Sequence, residues 1–183
     1  MSSKPVALIL GAGPNVGAAI STSLSTLHYR IATASRSGTN TMNPDTGILT
    51  LKADFTAPTS IPHLFSLVLK EFGTPPSVVV WNAAALTPPP TEDSVLSVSV
   101  DQFGKDLNVN TVSAYAAAQE AVKGWNSMEG EHAAGKKTFI YTGNMLNQTV
   151  APVPLFLTLG VGKSASAHWV GLADALYREK GYR

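Results

Sequence analysis

A glycine-rich turn between an apolar run and a helical pattern constrains this chain more than any other feature. Residues 5–10 form an apolar segment of strand length. Gly11-Ala-Gly13-Pro-Asn15-Val-Gly17 follows, and apolar residues at Val16, Ile20, Leu24 and Leu27 then recur three and four apart. The first segment predicts a buried strand and the last the core-facing stripe of a helix. A helix begun this way aims its unpaired N–H groups, and the positive end of its dipole, at whatever lies above the sheet. That makes the turn a site suited to a phosphate. In this reading Gly11 permits the sharp turn, Gly13 lets the backbone approach a pyrophosphate, and Gly17 lets the helix pack closely on the strand. Glycines also follow strands in α/β proteins that bind nothing, so the rest of the chain has to decide.

Strand and helix patterns alternate throughout, the mark of a parallel sheet covered on both faces. Residues 29–35, 47–53, 77–81 and 137–142 predict four further strands, with a polar loop at 36–40. Ser60 as cap, Pro62 in the first turn and a stripe of Ile61, Leu64, Phe65, Val68 and Phe72 predict a helix that stops at Gly73. A long helix is predicted from Asp101 to about Trp125, with Phe103, Leu107, Ala114, Ala117 and Ala121 on one side. Asn110 lies close to that side, where its amide needs partners. After a loop over residues 145–158, a last helix is predicted from about Val161 to Glu179.

With 183 residues, 44% of them hydrophobic, the chain is large enough for one domain with a sizeable core, and residues 1–183 are read as that domain. A net charge of +1 with singly scattered Lys and Arg argues against a nucleic-acid groove or a polybasic membrane patch. Cysteine is absent, which rules out disulfides and thiolate chemistry. His28, His63, His132 and His168 lack metal-ligand spacing, so no metal is expected. The opening Met-Ser-Ser-Lys-Pro has no signal-peptide core and no apolar run is long enough to span a bilayer, which together lead to a cytoplasmic expectation.

Taken together, the segments resemble the short-chain dehydrogenase/reductase family over essentially the whole chain. The family's T-G-x-x-x-G-x-G motif aligns to residues 10–17, with Asn15 where a glycine is usual; asparagine tolerates a left-handed turn or serves as helix N-cap. Asp54-Phe55 matches the aspartate after the third strand, which contacts adenine, and Trp81-Asn82-Ala83-Ala84 sits at the N-N-A-G motif. The resemblance implies a Rossmann-type doubly wound parallel sheet of strand order 3-2-1-4-5. It implies a nicotinamide dinucleotide held by Gly11, Gly13, Asn15, Val16, Gly17, Ser35, Arg36, Asp54, Phe55, Asn82, Ala83, Ala84 and Lys163. Ser35-Arg36 replaces the usual carboxylate after the second strand, and arginine's planar, permanent charge suits a 2′-phosphate, so NADP(H) is expected over NAD(H).

The family's catalytic groups are Asn, Ser and a Tyr-x-x-x-Lys pair. Asn110 matches the asparagine and Lys163 the lysine, but Leu159 stands four residues before Lys163 and Gly143-Asn144 falls at the serine position. Leucine cannot donate a proton, whereas the Asn144 amide can still hold a carbonyl. Asn110, Asn144 and Lys163 are therefore the expected catalytic set. The substitutes for the acid are Tyr141, Lys163 itself or a bound water, and Tyr141 reads better as a core aromatic.

Members of the family normally continue through two further strands and a substrate lid. An end at Arg183 would leave the fifth strand, with Phe139-Ile-Tyr, as an exposed edge, in a fragment or a reduced, associating variant. The resemblance further implies a homodimer or homotetramer joined by the helices bearing Asn110 and Lys163. The leading expectation is an NADP(H)-dependent oxidoreductase acting on a small carbonyl or alcohol through a non-standard site. The alternatives are a catalytically silent NADP(H)-binding sensor or assembly module, and non-redox chemistry, for which no particular residue argues.

Overall fold

A computed structural model describes residues 4–183; Met1, Ser2 and Ser3, where most of the reading against a signal peptide falls, lie outside the described residues. The strands are β1 (Val6–Leu10), β2 (Arg30–Ser35), β3 (Thr41–Met42), β4 (Leu49–Lys52), β5 (Val78–Trp81) and β6 (Thr138–Tyr141). The helices are α1 (Val16–Thr26), α2 (Ile61–Phe72), α3 (Val100–Leu107), α4 (Ser113–Asn126), α5 (Gly130–Ala134) and α6 (Leu157–Tyr177). The sheet order is β3-β4-β2-β1-β5-β6, parallel except where β3 pairs with β4. Without β3, the remaining five strands stand in the order 3-2-1-4-5 of a Rossmann-type doubly wound sheet.

The added edge strand is a departure from the sequence reading. A two-residue strand shows no alternation to detect, and it is held instead by polar groups. Thr39 Oγ1 lies 2.7 Å from Thr41 Oγ1 and 2.8 Å from Thr50 Oγ1. Asn40 Oδ1 accepts from the Lys52 N–H at 2.8 Å. The connection from β2 to β4 is thus a pinned hairpin rather than a helix.

β1 and β5 are buried along their whole length, as central strands covered on both faces must be. On one face, Leu8, Leu10, Val79 and Trp81 pack with Ile61, Leu64, Phe65 and Val68 of α2 and Ala114, Ala117 and Ala121 of α4. On the other, Ala7, Ile9, Ile31 and Val80 pack with Ile20 and Leu24 of α1. The α1 stripe differs from expectation: Val16 and Leu27 are exposed, and Gly17 and Ser21 are buried in their place. Small residues let α1 lie close to the sheet, so its contact face is narrower than the apolar pattern implied. Ser60 occupies the cap position of α2, but its hydroxyl donates backward to the Ala57 carbonyl at 2.7 Å instead of capping.

Two helices begin or run differently from the pattern. The long helix is interrupted by a π turn at Asn108–Val112, and α6 starts at Leu157 after a 3-10 turn at Pro154–Phe156. A π turn inserts an extra residue into one helical turn and recurs at functional sites. Here it turns Asn110 fully inward. At the far edge, the expected open strand is partly covered: the Phe139 N–H donates to the Arg183 carbonyl at 2.7 Å and the Arg183 N–H to the Lys137 carbonyl at 3.0 Å. Ile140 remains 44% exposed.

Candidate active site

At the C-terminal end of β1 the chain turns through Gly11 at φ +98°, where a Cβ would lie 2.3 Å from the Ala83 nitrogen. The loop after β5 is pressed against this turn. Asn82 and Ala83 donate their N–H groups to the Leu10 carbonyl, and Asn82 Nδ2 donates to the Gly11 carbonyl at 2.8 Å. A Cβ on Gly17 would meet Ala12 Cα at 2.6 Å, so α1 packs directly on the turn. A Cβ on Gly13 meets nothing within 4 Å. Of the three glycines, two carry close backbone contacts and one borders open space.

Asn15 is the N-cap of α1 at φ −95°, neither left-handed nor making a side-chain cap. The Ala18 and Ala19 N–H groups bond to Gly13 and Asn15, while those of Asn15, Val16 and Gly17 precede the point where helical partners begin. Val16, 54% exposed, stands at this mouth rather than in the core. These N–H donors and the open space at Gly13 fit the pyrophosphate of a dinucleotide.

Beside the turn, a cavity of about 410 Å3 lies between Ala12 and the hairpin, lined by Ser35, Ser37, Thr39, Thr41 and Asn43. Arg36 is exposed next to it. Asp54 Oδ1 accepts from the Thr56 N–H and hydroxyl at 2.9 and 2.8 Å. Those bonds, with a smaller contribution from Arg36, hold its pKa below the ordinary value despite slight desolvation. Phe55 is turned away from this end: its ring is buried, edge-on to Trp81 at 4.9 Å. Ala84 is exposed beyond Ala83.

The third part is built around the π turn. Asn110 Oδ1 accepts from the Ala85 N–H and its Nδ2 donates to the Ala85 carbonyl, both at 2.8 Å, while Nδ2 also reaches the Thr158 carbonyl at 3.4 Å. Its own carbonyl accepts from Tyr141 Oη at 2.6 Å and Ser166 Oγ at 2.9 Å. Asn110 therefore joins the loop after β5 to α6. Gly162 makes this closeness possible, because a Cβ there would sit 2.3 Å from Asn110 Cβ.

One residue further, Lys163 is 4% exposed, donates from Nζ to the Thr142 carbonyl at 2.5 Å and stands 4.5 Å from the centre of the Tyr141 ring. Burial away from water disfavours its charged form and lowers its pKa from the ordinary lysine value. Tyr141 is raised by burial, and its hydroxyl is spent on Asn110 while its ring packs on Trp169. It is a core aromatic. Asn144 is exposed at the end of β6, its Oδ1 accepting from the Leu146 N–H at 3.0 Å, which leaves its NH2 group directed away from that bond. Leu159 is half-buried one helical turn before Lys163, on the same side of α6.

Asn82, Ala83, Asn110, Asn144 and Lys163 all converge at or beside the C-terminal ends of β1, β5 and β6, where ligands bind in open α/β sheets. Sequence reasoning missed the Thr142 and Ala85 backbone groups, which no side-chain motif can announce. It also missed Gly162, whose only signal was a small residue beside Lys163. Among the described residues, no group of His, Cys, Asp or Glu could hold a metal ion, and no helix is long and apolar enough to cross a membrane.

No family model matches the sequence. It is 37% identical over 192 residues to the short chain dehydrogenase/reductase dmxR12 of Cryptosporiopsis sp. (strain 8999), covering 99% of this chain and 74% of that protein. The chain belongs to the short-chain dehydrogenase/reductase family. Among solved members of that family, a Serratia marcescens BCRC 10948 enzyme is 25% identical with a TM-score of 0.74, covering 97% of this chain and 72% of its own. A metagenomic short-chain oxidoreductase solved with NADP shares the fold at 18% identity and a TM-score of 0.77, covering 100% and 80%. This chain is thus a short-chain dehydrogenase/reductase of the oxidoreductase type, in which residue 159 is leucine and residue 144 asparagine.

Proposed function

We propose that this short-chain dehydrogenase/reductase binds NADP(H) and transfers hydride between it and a small carbonyl or alcohol, with Lys163 in place of the usual tyrosine as the ionisable group beside the reacting atoms. The observation that carries this reading is a buried, oriented lysine at the same sheet edge as an open glycine cradle. When bound, the cofactor supplies the hydride. The turn and the first N–H groups of α1 hold the pyrophosphate, and Ser35 and Arg36 face the adenosine 2′-phosphate. Lys163 uses one of its three donors on Thr142 and keeps the others for the nicotinamide ribose and, directly or through one water, for the substrate oxygen. The Asn144 NH2 orients that oxygen. Asn110 braces Ala85 and α6 and so fixes the distance between the cofactor side and Lys163.

Thermal unfolding with NADPH, NADH or neither tests the cofactor assignment. At about 100 times its Kd a ligand adds about 2.7 kcal/mol, which for a domain of this size raises the midpoint by roughly 5–10 °C. NADPH is expected to give the larger rise, and Arg36→Ala to reduce it to the NADH level. Equal shifts in the unmodified protein would remove the NADP preference. Leu159 favours a second reading, a silent NADP(H)-binding module. Stabilisation by NADPH without turnover over a broad carbonyl panel would select it.

The same proposal includes a homodimer or homotetramer built on α4 and α6. Tyr115, Leu172 and Leu176 are 49%, 55% and 68% exposed, beside an apolar groove of about 580 Å3 between those helices. Such a patch on a free monomer is unusual. Light scattering should give at least twice the chain mass, and a strictly monomeric mass counts against it.

A further inference from the structure

The segment between β6 and the second turn of α6 has no part in the cofactor assignment, yet it stands over the reaction centre. From Thr142 to Gly162 it contains no Asp, Glu, Lys, Arg or His, and neither do β5 and the first part of the loop after it, from Ser77 to Thr91; the exposed Glu92 and Asp93 follow. In a protein with 25 charged residues in 183, two uncharged stretches rising from adjacent strand ends at one site set the chemistry of that site.

The first wall is fixed in place. Ser164 Oγ donates to the Leu146 carbonyl at 2.9 Å, Leu146 is buried, and Asn147 caps the turn by accepting from the Asn144 N–H at 3.1 Å. What the wall leaves outward is uncharged and partly apolar: Met145 is 64% exposed, Val150 92% and Val153 45%, with Asn144, Gln148 and Thr149 exposed among them. In the proline-rich loop after the neighbouring strand β5, Leu86 is 38% exposed. Within the site, Leu159 adds an apolar group one turn from Lys163.

Resting on the reading of Lys163 and the glycine cradle given above, we propose that the substrate is an uncharged, largely apolar carbonyl or alcohol, and that compounds carrying a carboxylate or phosphate are excluded. An anionic substituent bound here would find Lys163 as the nearest assigned cation, already held by Thr142 and needed at the reaction centre. A charge removed from water without a partner binds poorly, whereas an alkyl or ring substituent gains by covering Met145, Val150 and Leu86.

The test uses two ketones of matched shape, 4-propylcyclohexanone and 3-(4-oxocyclohexyl)propanoate, titrated calorimetrically into the protein saturated with NADP+, which cannot reduce a ketone. The neutral ketone is expected to bind at least about tenfold more tightly. Met145→Arg, at an exposed position that leaves the fold alone, should narrow that ratio by about threefold by giving the carboxylate a partner. Equal binding, a preference for the carboxylate, or binding of neither ketone while NADP+ stabilises the protein overturns the proposal. Failure of NADP+ and NADPH alike to stabilise it overturns the cofactor reading instead.

Discussion

Replacing Lys163 with methionine is expected to lower turnover by about a hundred- to ten-thousand-fold, the contribution of a positioned acid or base, while the cofactor-free protein stays folded. Methionine has nearly the length of lysine and suits a buried site. The Thr142 carbonyl loses its donor, a cost of about 1–3 kcal/mol, but a desolvated charge leaves with it. The pH dependence separates the lysine's chemistry from its packing. Burial holds the Lys163 pKa below 10.5, so between its folded value and 10.5 the unfolded chain binds a proton that the native protein does not. Stability therefore rises with pH through that window, and denaturant titrations should show the rise in the unmodified protein and not in Lys163→Met. Activity should move oppositely, falling as the ammonium loses its proton below 10.5, and Lys163→Arg should shift any residual activity limb upward. Full activity in Lys163→Met would sink the mechanism.

How much of this could be read from the chain follows from where the information sits. Continuous apolar strands such as residues 77–81 and the stripe of α2 are visible because burial on both faces, or on one face at helical spacing, leaves a periodic record. The hairpin carrying β3 is not, since its order comes from hydroxyl and amide contacts among Thr39, Asn40, Thr41, Thr50 and the Lys52 N–H, which leave no apolar period. Phe55 shows the limit of motif transfer: Asp54 lies at the sheet edge beside Arg36, while the neighbouring ring points into the core, as alternation along an extended chain requires. The π turn escapes sequence analysis for a related reason. Asn110 reads as a polar residue near a helix stripe, and only the Ala85 backbone, 25 residues earlier, explains why the helix admits an extra residue there.

Gly11→Ala is expected to damage both the fold and cofactor binding. A left-handed backbone costs a residue with a Cβ about 1–2 kcal/mol, and overpacking costs about 1–3 more. The atoms in the way are backbone: the Ala83 nitrogen at 2.3 Å and Ala83 Cα at 2.6 Å. They cannot rotate aside as a side chain could, and moving them strains the bonds from Asn82 and Ala83 to the Leu10 carbonyl. Together this amounts to roughly 2–5 kcal/mol, or a midpoint lower by roughly 4–20 °C for a domain of this size. Gly13→Ala supplies the contrast. Its φ is not left-handed and its Cβ meets nothing within 4 Å, so the free protein should unfold at its usual temperature. Whatever Gly13→Ala loses of the NADPH-induced rise then reports a contact with the ligand alone. Equal damage to the free protein from both substitutions would mean that the turn is rigid throughout, with no open cradle over Gly13 for a pyrophosphate to occupy.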